Sequence, residues 1–173
     1  MPGEPATTLR PETADDVDAI RDLVAEAFAA VPYGDGTESA IVDRLRERGE
    51  LTISLVAERA GRVVGHAAAS PVRLSGGEPG WFGLGPVAVL PGHQRTGVGT
   101  ALVARTLDLL RERTGAAGVV VLGDPGYYGR FGFRAGAGLT CDGVPATHFQ
   151  SVPLSVDGRV PRAAVAFSPA FDA

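Results

Sequence analysis

The feature that most constrains this chain is a strand-like run, residues 81–90, that passes through Gln94-Arg95-Thr96-Gly97-Val98-Gly99-Thr100 into a long helical pattern. Val98, Leu102 and Leu109, with Val103, Leu107 and Leu110, form a wide apolar helical face that Gly115 stops. The first N–H groups of a helix have no intrahelical partners, and the helix dipole adds partial positive charge there. Such a junction binds phosphate. Gly97 and Gly99 remove side chains that would keep an anion from the backbone, and Arg95 offers a charge-assisted contact. A nucleotide P-loop is excluded because it needs a lysine and the chain has none. A dinucleotide fingerprint lacks its third glycine, and no βαβ unit opens the chain. The remaining alternative is a plain helix start with two convenient glycines.

The rest of the pattern is α+β, with a mixed, mostly antiparallel central sheet flanked by helices. Thr13-Ala14-Asp15-Asp16 resembles a capping box ahead of an amphipathic helix carrying Val17, Ile20, Leu23, Val24, Ala27 and Phe28. Pro32-Tyr33-Gly34-Asp35-Gly36 breaks that helix. A second helix begins near Thr37, buries Ile41 and Leu45, and ends at Gly49. Residues 51–55 alternate as a strand, Ala60-Gly61 supplies a turn, and residues 63–74 form the return strand. A turn over 75–80 leads to the strand at 81–90. Val119-Val120-Val121-Leu122 suits a strand buried on both faces and parallel to a neighbour. A short helix is expected over 127–131, with short strands near Leu139, Val152 and residues 163–167.

At 173 residues the chain is long enough for one domain, 1–173, with its core over about 7–171. Sixteen arginines against twenty carboxylates leave a net charge of −4, so the chain as a whole does not attract nucleic acid or anionic lipid. Cys141 is the only cysteine and cannot form an internal disulfide; it reads as a filler in a C-terminal strand. Residues 1–8 lack the apolar stretch of a signal peptide, and no apolar run reaches the ~20 residues of a membrane helix. The cytoplasm is therefore the expected compartment. The absence of lysine and asparagine is the bias of a GC-rich genome.

Two motifs in order carry a family resemblance. Gly85-Pro86-Val87-Ala88-Val89-Leu90-Pro91, then Gln94-x-x-Gly97-x-Gly99, looks like the acyl-CoA signature of the general N-acetyltransferase (GNAT) superfamily. Some thirty residues on, Pro125-Gly126-Tyr127-Tyr128-Gly129-Arg130-Phe131-Gly132-Phe133 resembles its second signature, a tyrosine shortly before Gly-Phe. The paired tyrosines, and the ending Ser168-Pro169-Ala170-Phe171, are similar to a branch of small predicted bacterial N-acetyltransferases. The resemblance runs from about Leu9 to the C-terminus.

The resemblance implies an enzyme that transfers the acetyl group of acetyl-CoA to a primary amine by direct attack in a ternary complex, with no metal. The alternative is a non-catalytic acyl-CoA sensor. Acetyl-CoA is expected between two strands that splay apart, residues 81–90 and 118–123. Val87, Ala88 and Val89 would meet the pantetheine arm. Arg95, Thr96, Gly97, Val98, Gly99 and Thr100 would hold the pyrophosphate. Tyr128 matches the family tyrosine near the sulfur, with the role of general acid or thiolate stabiliser; a phenol of pKa ~10 keeps its proton to give. Tyr127 reads as packing. The general base is left open. The strand at 81–90 carries no carboxylate, and the nearest titratable residue by sequence, His66, reads as structural more readily than as a base. Asp124 stands where many relatives carry Asn, and a carboxylate cannot donate the hydrogen bond an amide would. The acceptor, a small-molecule or peptide amine, is expected against residues 32–38 and 136–150. Asp35 and Glu38 offer charge for a cation there. A homodimer is compatible with the resemblance.

Overall fold

The computed structural model describes residues 3, 5–32 and 34–172. Met1, Pro2 and Glu4 of the polar N-terminal segment, Tyr33 of the expected helix break, and Ala173 lie outside the described residues. Along the chain come β1 (Thr7–Pro11), α1 (Val17–Ala29), α2 (Glu38–Glu47), β2 (Ile53–Arg59), β3 (Arg62–Pro71), β4 (Arg73–Leu74) and β5 (Trp81–Val89). Then follow α3 (Val98–Thr114), β6 (Gly118–Leu122), α4 (Pro125–Tyr128), β7 (Arg134–Ala135), β8 (Leu139–Thr140), β9 (Phe149–Pro153) and β10 (Ala163–Ala166). One sheet has the order β1-β2-β3-β5-β6-β9-β7 and a smaller one the order β4-β10-β8. In the large sheet every neighbouring pair is antiparallel except β5 and β6, which are parallel. The architecture is the α+β arrangement expected from the sequence.

Local chemistry sets the ends of these elements. The Thr13 N–H and hydroxyl both reach an Asp16 carboxylate oxygen, at 2.7 and 3.1 Å, closing the capping box through a short 3-10 turn, Ala14–Asp16, ahead of α1. Arg10 grips the same carboxylate at 2.7 and 2.9 Å and holds it well below the usual carboxylate range. Gly115, in the left-handed region at φ 61°, ends α3 as expected. The single return strand expected over 63–74 is instead two strands. Pro71 has no N–H to continue the ladder, and the chain turns at Val72 so that β4 joins the smaller sheet beside β10.

The core lies on both faces of the large sheet. A Cβ on Gly65 would come within 2.9 Å of Val98 and Leu102, so glycine is what lets α3 lie directly on β3. The next residue, His66, faces the other side, toward the charged groups of Glu12, Asp16 and, from α2, Arg46. Val119, Val120 and Val121 are fully buried, as their β-branched run implies. Leu122 departs from that expectation and is 52% exposed. The last β5–β6 pair is Leu84 with Val121, so Leu122 has a strand neighbour only on the β9 side.

Candidate active site

The site begins where β5 leaves β6. Trp81–Leu84 pair with Gly118–Val121, and the pairing stops there. On its other edge β5 continues along β3, but Leu84 opposes Ala69 while Val87 opposes Ala67. Gly85 and Pro86 therefore face the single residue Ala68, which is a β-bulge. The bulge bends β5 away, and Pro86 offers no N–H to a neighbour. A cleft opens between the second half of β5 and the end of β6.

Strand parity decides which backbone groups face this cleft. The Leu90 N–H donates to the Val64 carbonyl. Antiparallel pairs alternate between hydrogen-bonded and not, so Ala88 opposite His66 also turns its N–H and C=O toward β3. Val87 and Val89 turn theirs the other way, into the cleft. The Val89 carbonyl is taken by the Gln94 side-chain amide at 3.1 Å, which ties the loop back to the strand. Of the three β5 residues expected to meet a pantetheine arm, Val87 and Val89 present backbone groups to it and buried Ala88 does not.

The loop beyond β5 brings Arg95 through Thr100 together at the N-terminus of α3. Arg95 and Gly97 both occupy the left-handed region, with φ of 60° and 88°, the first an uncommon conformation for a residue with a side chain. The Thr96 hydroxyl donates to the His93 carbonyl at 2.6 Å. The first helical bond after the loop runs from the Ala101 N–H to the Gly97 carbonyl. The N–H groups of Val98, Gly99 and Thr100 precede it and have no intrahelical acceptor. A Cβ on Gly99 would stand 3.2 Å from the Tyr127 hydroxyl and 3.6 Å from a Val89 methyl. The missing side chain thus leaves a cradle bounded by the helix start, β5 and α4. These donors and this cradle fit the pyrophosphate and pantetheine of acetyl-CoA.

The cleft's other wall is aromatic. Tyr127 and Tyr128 meet edge to face at 4.9 Å, and Phe133 supports Tyr128 at 5.8 Å. The Arg130 guanidinium lies 4.5 Å from the Tyr127 ring centre. The Tyr128 ring lies against Gly123 at the end of β6, where a Cβ would come within 2.5 Å of it. Gly123 is held on both sides: its N–H donates to the His148 carbonyl at 3.0 Å, and its carbonyl accepts from buried Gln150 at 3.1 Å. Gln150 carries no periodic or motif signal, and only the β6–β9 register brings it here. Tyr127, read from sequence as packing, borders the cradle. Cys141, half-buried with its thiol pushed up by burial, packs in the smaller cluster around Trp81 and Phe149 instead.

His66 does not line the cleft. It is fully buried, with Nε2 2.8 Å from the Ser54 hydroxyl and Nδ1 without a hydrogen-bond partner among the described residues. Burial pushes its pKa down to about 4, so it is neutral near neutral pH. Asp124 caps α4, its carboxylate accepting from the Gly126 N–H at 2.9 Å. In the loop before α2, the Asp35 carboxylate accepts from the Thr37 N–H and hydroxyl, and Glu38 accepts from the Asp35 N–H. Both carboxylates are engaged in shaping that turn. Among the described residues no group of three or more His, Cys, Asp or Glu side chains could hold a metal.

The chain is similar to known acetyltransferases. Residues 8–136 match the family described as an acetyltransferase (GNAT) domain. Over 130 residues, 75% of this chain and 74% of the relative, the sequence is 39% identical to the uncharacterised N-acetyltransferase YhbS of Escherichia coli K12. A GNAT-family acetyltransferase from Brucella melitensis, solved with acetyl-CoA, superposes with a TM-score of 0.85 and is 43% identical, covering 96% of this chain and 99% of its own. Escherichia coli YhbS, solved with CoA, superposes at 0.89 with 34% identity, covering 100% and 95%. The fold is that of an acetyl-CoA-dependent N-acetyltransferase. The chain belongs to the GNAT acetyltransferase family.

Proposed function

We propose that residues 1–173 act as a single N-acetyltransferase domain that transfers the acetyl group of acetyl-CoA to a primary amine by direct attack. The observation that carries this reading is the cleft itself. The unpaired edge of β5 at Val87 and Val89 leads straight to the glycine-rich start of α3, with Tyr128 on the opposite wall. Acetyl-CoA supplies an activated thioester. Val87 and Val89 pair with its pantetheine arm as an added strand would, and the N–H groups of residues 95–100 hold its pyrophosphate. Fixing the thioester beside the amine contributes much of the rate. The amine nitrogen bonds the carbonyl carbon, the C–S bond breaks, and the Tyr128 hydroxyl gives a proton to the departing sulfur. The amine's proton leaves through water, since His66 is sealed from the cleft and β5 carries no carboxylate.

The acceptor is a small-molecule or peptide amine approaching from residues 32–38 and 136–150, and the enzyme works in the bacterial cytoplasm. The bacterial relatives support this setting, and among the described residues no helix is long and apolar enough to cross a membrane. Calorimetry with acetyl-CoA tests the cofactor. A thiol-release assay over a panel of small-molecule and peptide amines tests the reaction and separates an enzyme from an acyl-CoA sensor. Cofactor binding with no thiol release for any amine would overturn the transferase reading.

A further inference from the structure

β2 and β3 are joined by a two-residue turn in which Ala60 and Gly61 both have positive φ, 51° and 76°. That is the tight hairpin geometry, and it holds Arg59 and Arg62 directly opposite each other in the ladder. Like charges at opposed positions destabilise a hairpin. Two arginines elsewhere in the sheet and helices show the alternative: Arg10 is matched by Asp16 and Glu58, and Arg46 by Glu12 and Asp43. Among the described residues neither Arg59 nor Arg62 forms an ion pair with a carboxylate. Arg59 instead bonds the Thr7 hydroxyl at 2.8 and 3.1 Å and reaches the Thr96 hydroxyl at 3.5 Å. Arg59, Arg62, Gly92, His93 and Thr96 line a groove of about 380 Å³. Thr96 is also a residue of the phosphate loop, so the groove and the helix start share a wall.

We propose that this groove is a phosphomonoester site. Resting on the acetyl-CoA reading above, we assign its occupant as the 3′-phosphate on the ribose of CoA. A phosphate monoester carries nearly two negative charges at neutral pH and offers three acceptor oxygens. It supplies the negative charge that neither arginine finds in a carboxylate among the described residues, and it can accept from both. In CoA this group lies one ribose ring from the pyrophosphate, which matches a groove that adjoins the loop rather than coincides with it. The Arg59–Arg62 pair thereby selects CoA esters over acyl carriers that lack the 3′-phosphate.

The test is calorimetric titration of wild type and of Arg59→Gln/Arg62→Gln with CoA and with dephospho-CoA, which lacks only the 3′-phosphate. Wild type should prefer CoA by on the order of tenfold or more, the scale of a charge-assisted hydrogen bond. In the double variant the two ligands should bind within about twofold of each other, because neither then gains from the groove. Retained dephospho-CoA binding by the double variant shows that it is folded, so a folding defect cannot imitate the result. Equal affinity of wild type for CoA and dephospho-CoA overturns the proposal and leaves the acetyl-CoA reading standing. Failure of both ligands to bind wild type overturns both. If millimolar inorganic phosphate raises the wild-type melting temperature but CoA is not preferred, the groove takes free phosphate and the assignment to CoA is wrong.

Discussion

The Tyr127 hydroxyl stands 3.2 Å from where a Cβ on Gly99 would lie, so one missing side chain keeps the cradle between α3 and α4 open. Gly99 itself has no positive φ, and alanine or valine there meets a space problem rather than backbone strain. Gly99→Val should weaken acetyl-CoA binding by at least about tenfold while the protein still folds. Gly97→Val, at φ 88°, should in addition lose about 1–2 kcal/mol of stability, because a branched residue is forced into the left-handed region. Calorimetry and urea unfolding on both variants check this. Unchanged affinity in folded Gly99→Val would place the pantetheine elsewhere.

His66 gives the protein a defined acid sensitivity. Its pKa falls from 6.5 to about 4 on burial, so above about pH 6.5 it is neutral folded or unfolded and costs nothing. Between 6.5 and 4 the unfolded chain takes up a proton that the folded chain refuses. Stability should therefore fall by about 3 kcal/mol across that window and then level for this group. Asp16, held low by Arg10, acts in the same direction at lower pH: its contribution is present above the usual carboxylate pKa and lost as pH falls below it. Urea unfolding of wild type and His66→Gln at several pH values separates the two. The variant should lose the decline between 6.5 and 4 and keep the decline below it. Parallel curves in the upper window would show that another group titrates there.

What the sequence revealed follows from the range of the physics involved. The helices, the glycine-rich start of α3 and the buried run Val119 to Val121 were legible because periodicity, glycine placement and β-branching act within a few residues. The separation of Ala88 from Val87 and Val89 was not, because it depends on the β3–β5 register, which a bulge at Gly85–Pro86 shifts. Gln150 was invisible for the same reason: it reaches the end of β6 only through strand pairing with a segment far along the chain. Asp35 and Glu38 read as charge available to a ligand, yet both are engaged in the turn before α2, a local use that composition does not distinguish from an open one. The ambiguity of His66 is resolved by burial, which depends on how α1 and α2 cover the sheet.

Asp124 stands where the family resemblance leads one to expect an amide, and its geometry explains why a carboxylate serves. It caps a helix of four residues through the Gly126 N–H. Asp124→Ala should cost about 1 kcal/mol and loosen α4, whereas Asp124→Asn, which keeps the acceptor oxygen, should be nearly neutral for stability. Thermal unfolding checks the pair. If Asp124→Asn also strengthens acetyl-CoA binding, the amide donates to the cofactor and the carboxylate is a local sacrifice. If it leaves affinity unchanged, position 124 acts only as a cap.

The final prediction joins Tyr128 to Gly123. The ring lies so close to Gly123 that a methyl group there would come within 2.5 Å of one ring carbon and 3.0 Å of the next. Gly123 cannot retreat, because His148 and Gln150 pin its N–H and its carbonyl. Gly123→Ala therefore displaces the tyrosine without removing its hydroxyl. Tyr128→Phe removes the hydroxyl and leaves the ring in place. If Tyr128 protonates the departing sulfur, both changes act on the same step. Tyr128→Phe should lower turnover by about 10², the lower range for general acid catalysis, since a thiolate is already a good leaving group. Gly123→Ala should lower turnover in the same direction, and acetyl-CoA affinity should change little in Tyr128→Phe, because the interaction is made when the C–S bond breaks. The double variant should be little worse than Tyr128→Phe alone, since a displaced phenylalanine has no proton left to misplace. Steady-state thiol release on one accepted amine, with calorimetry alongside, reads all four forms. Additive losses would mean that Gly123→Ala damages the cleft by another route, and full turnover in Tyr128→Phe would leave positioning of the thioester as the source of catalysis.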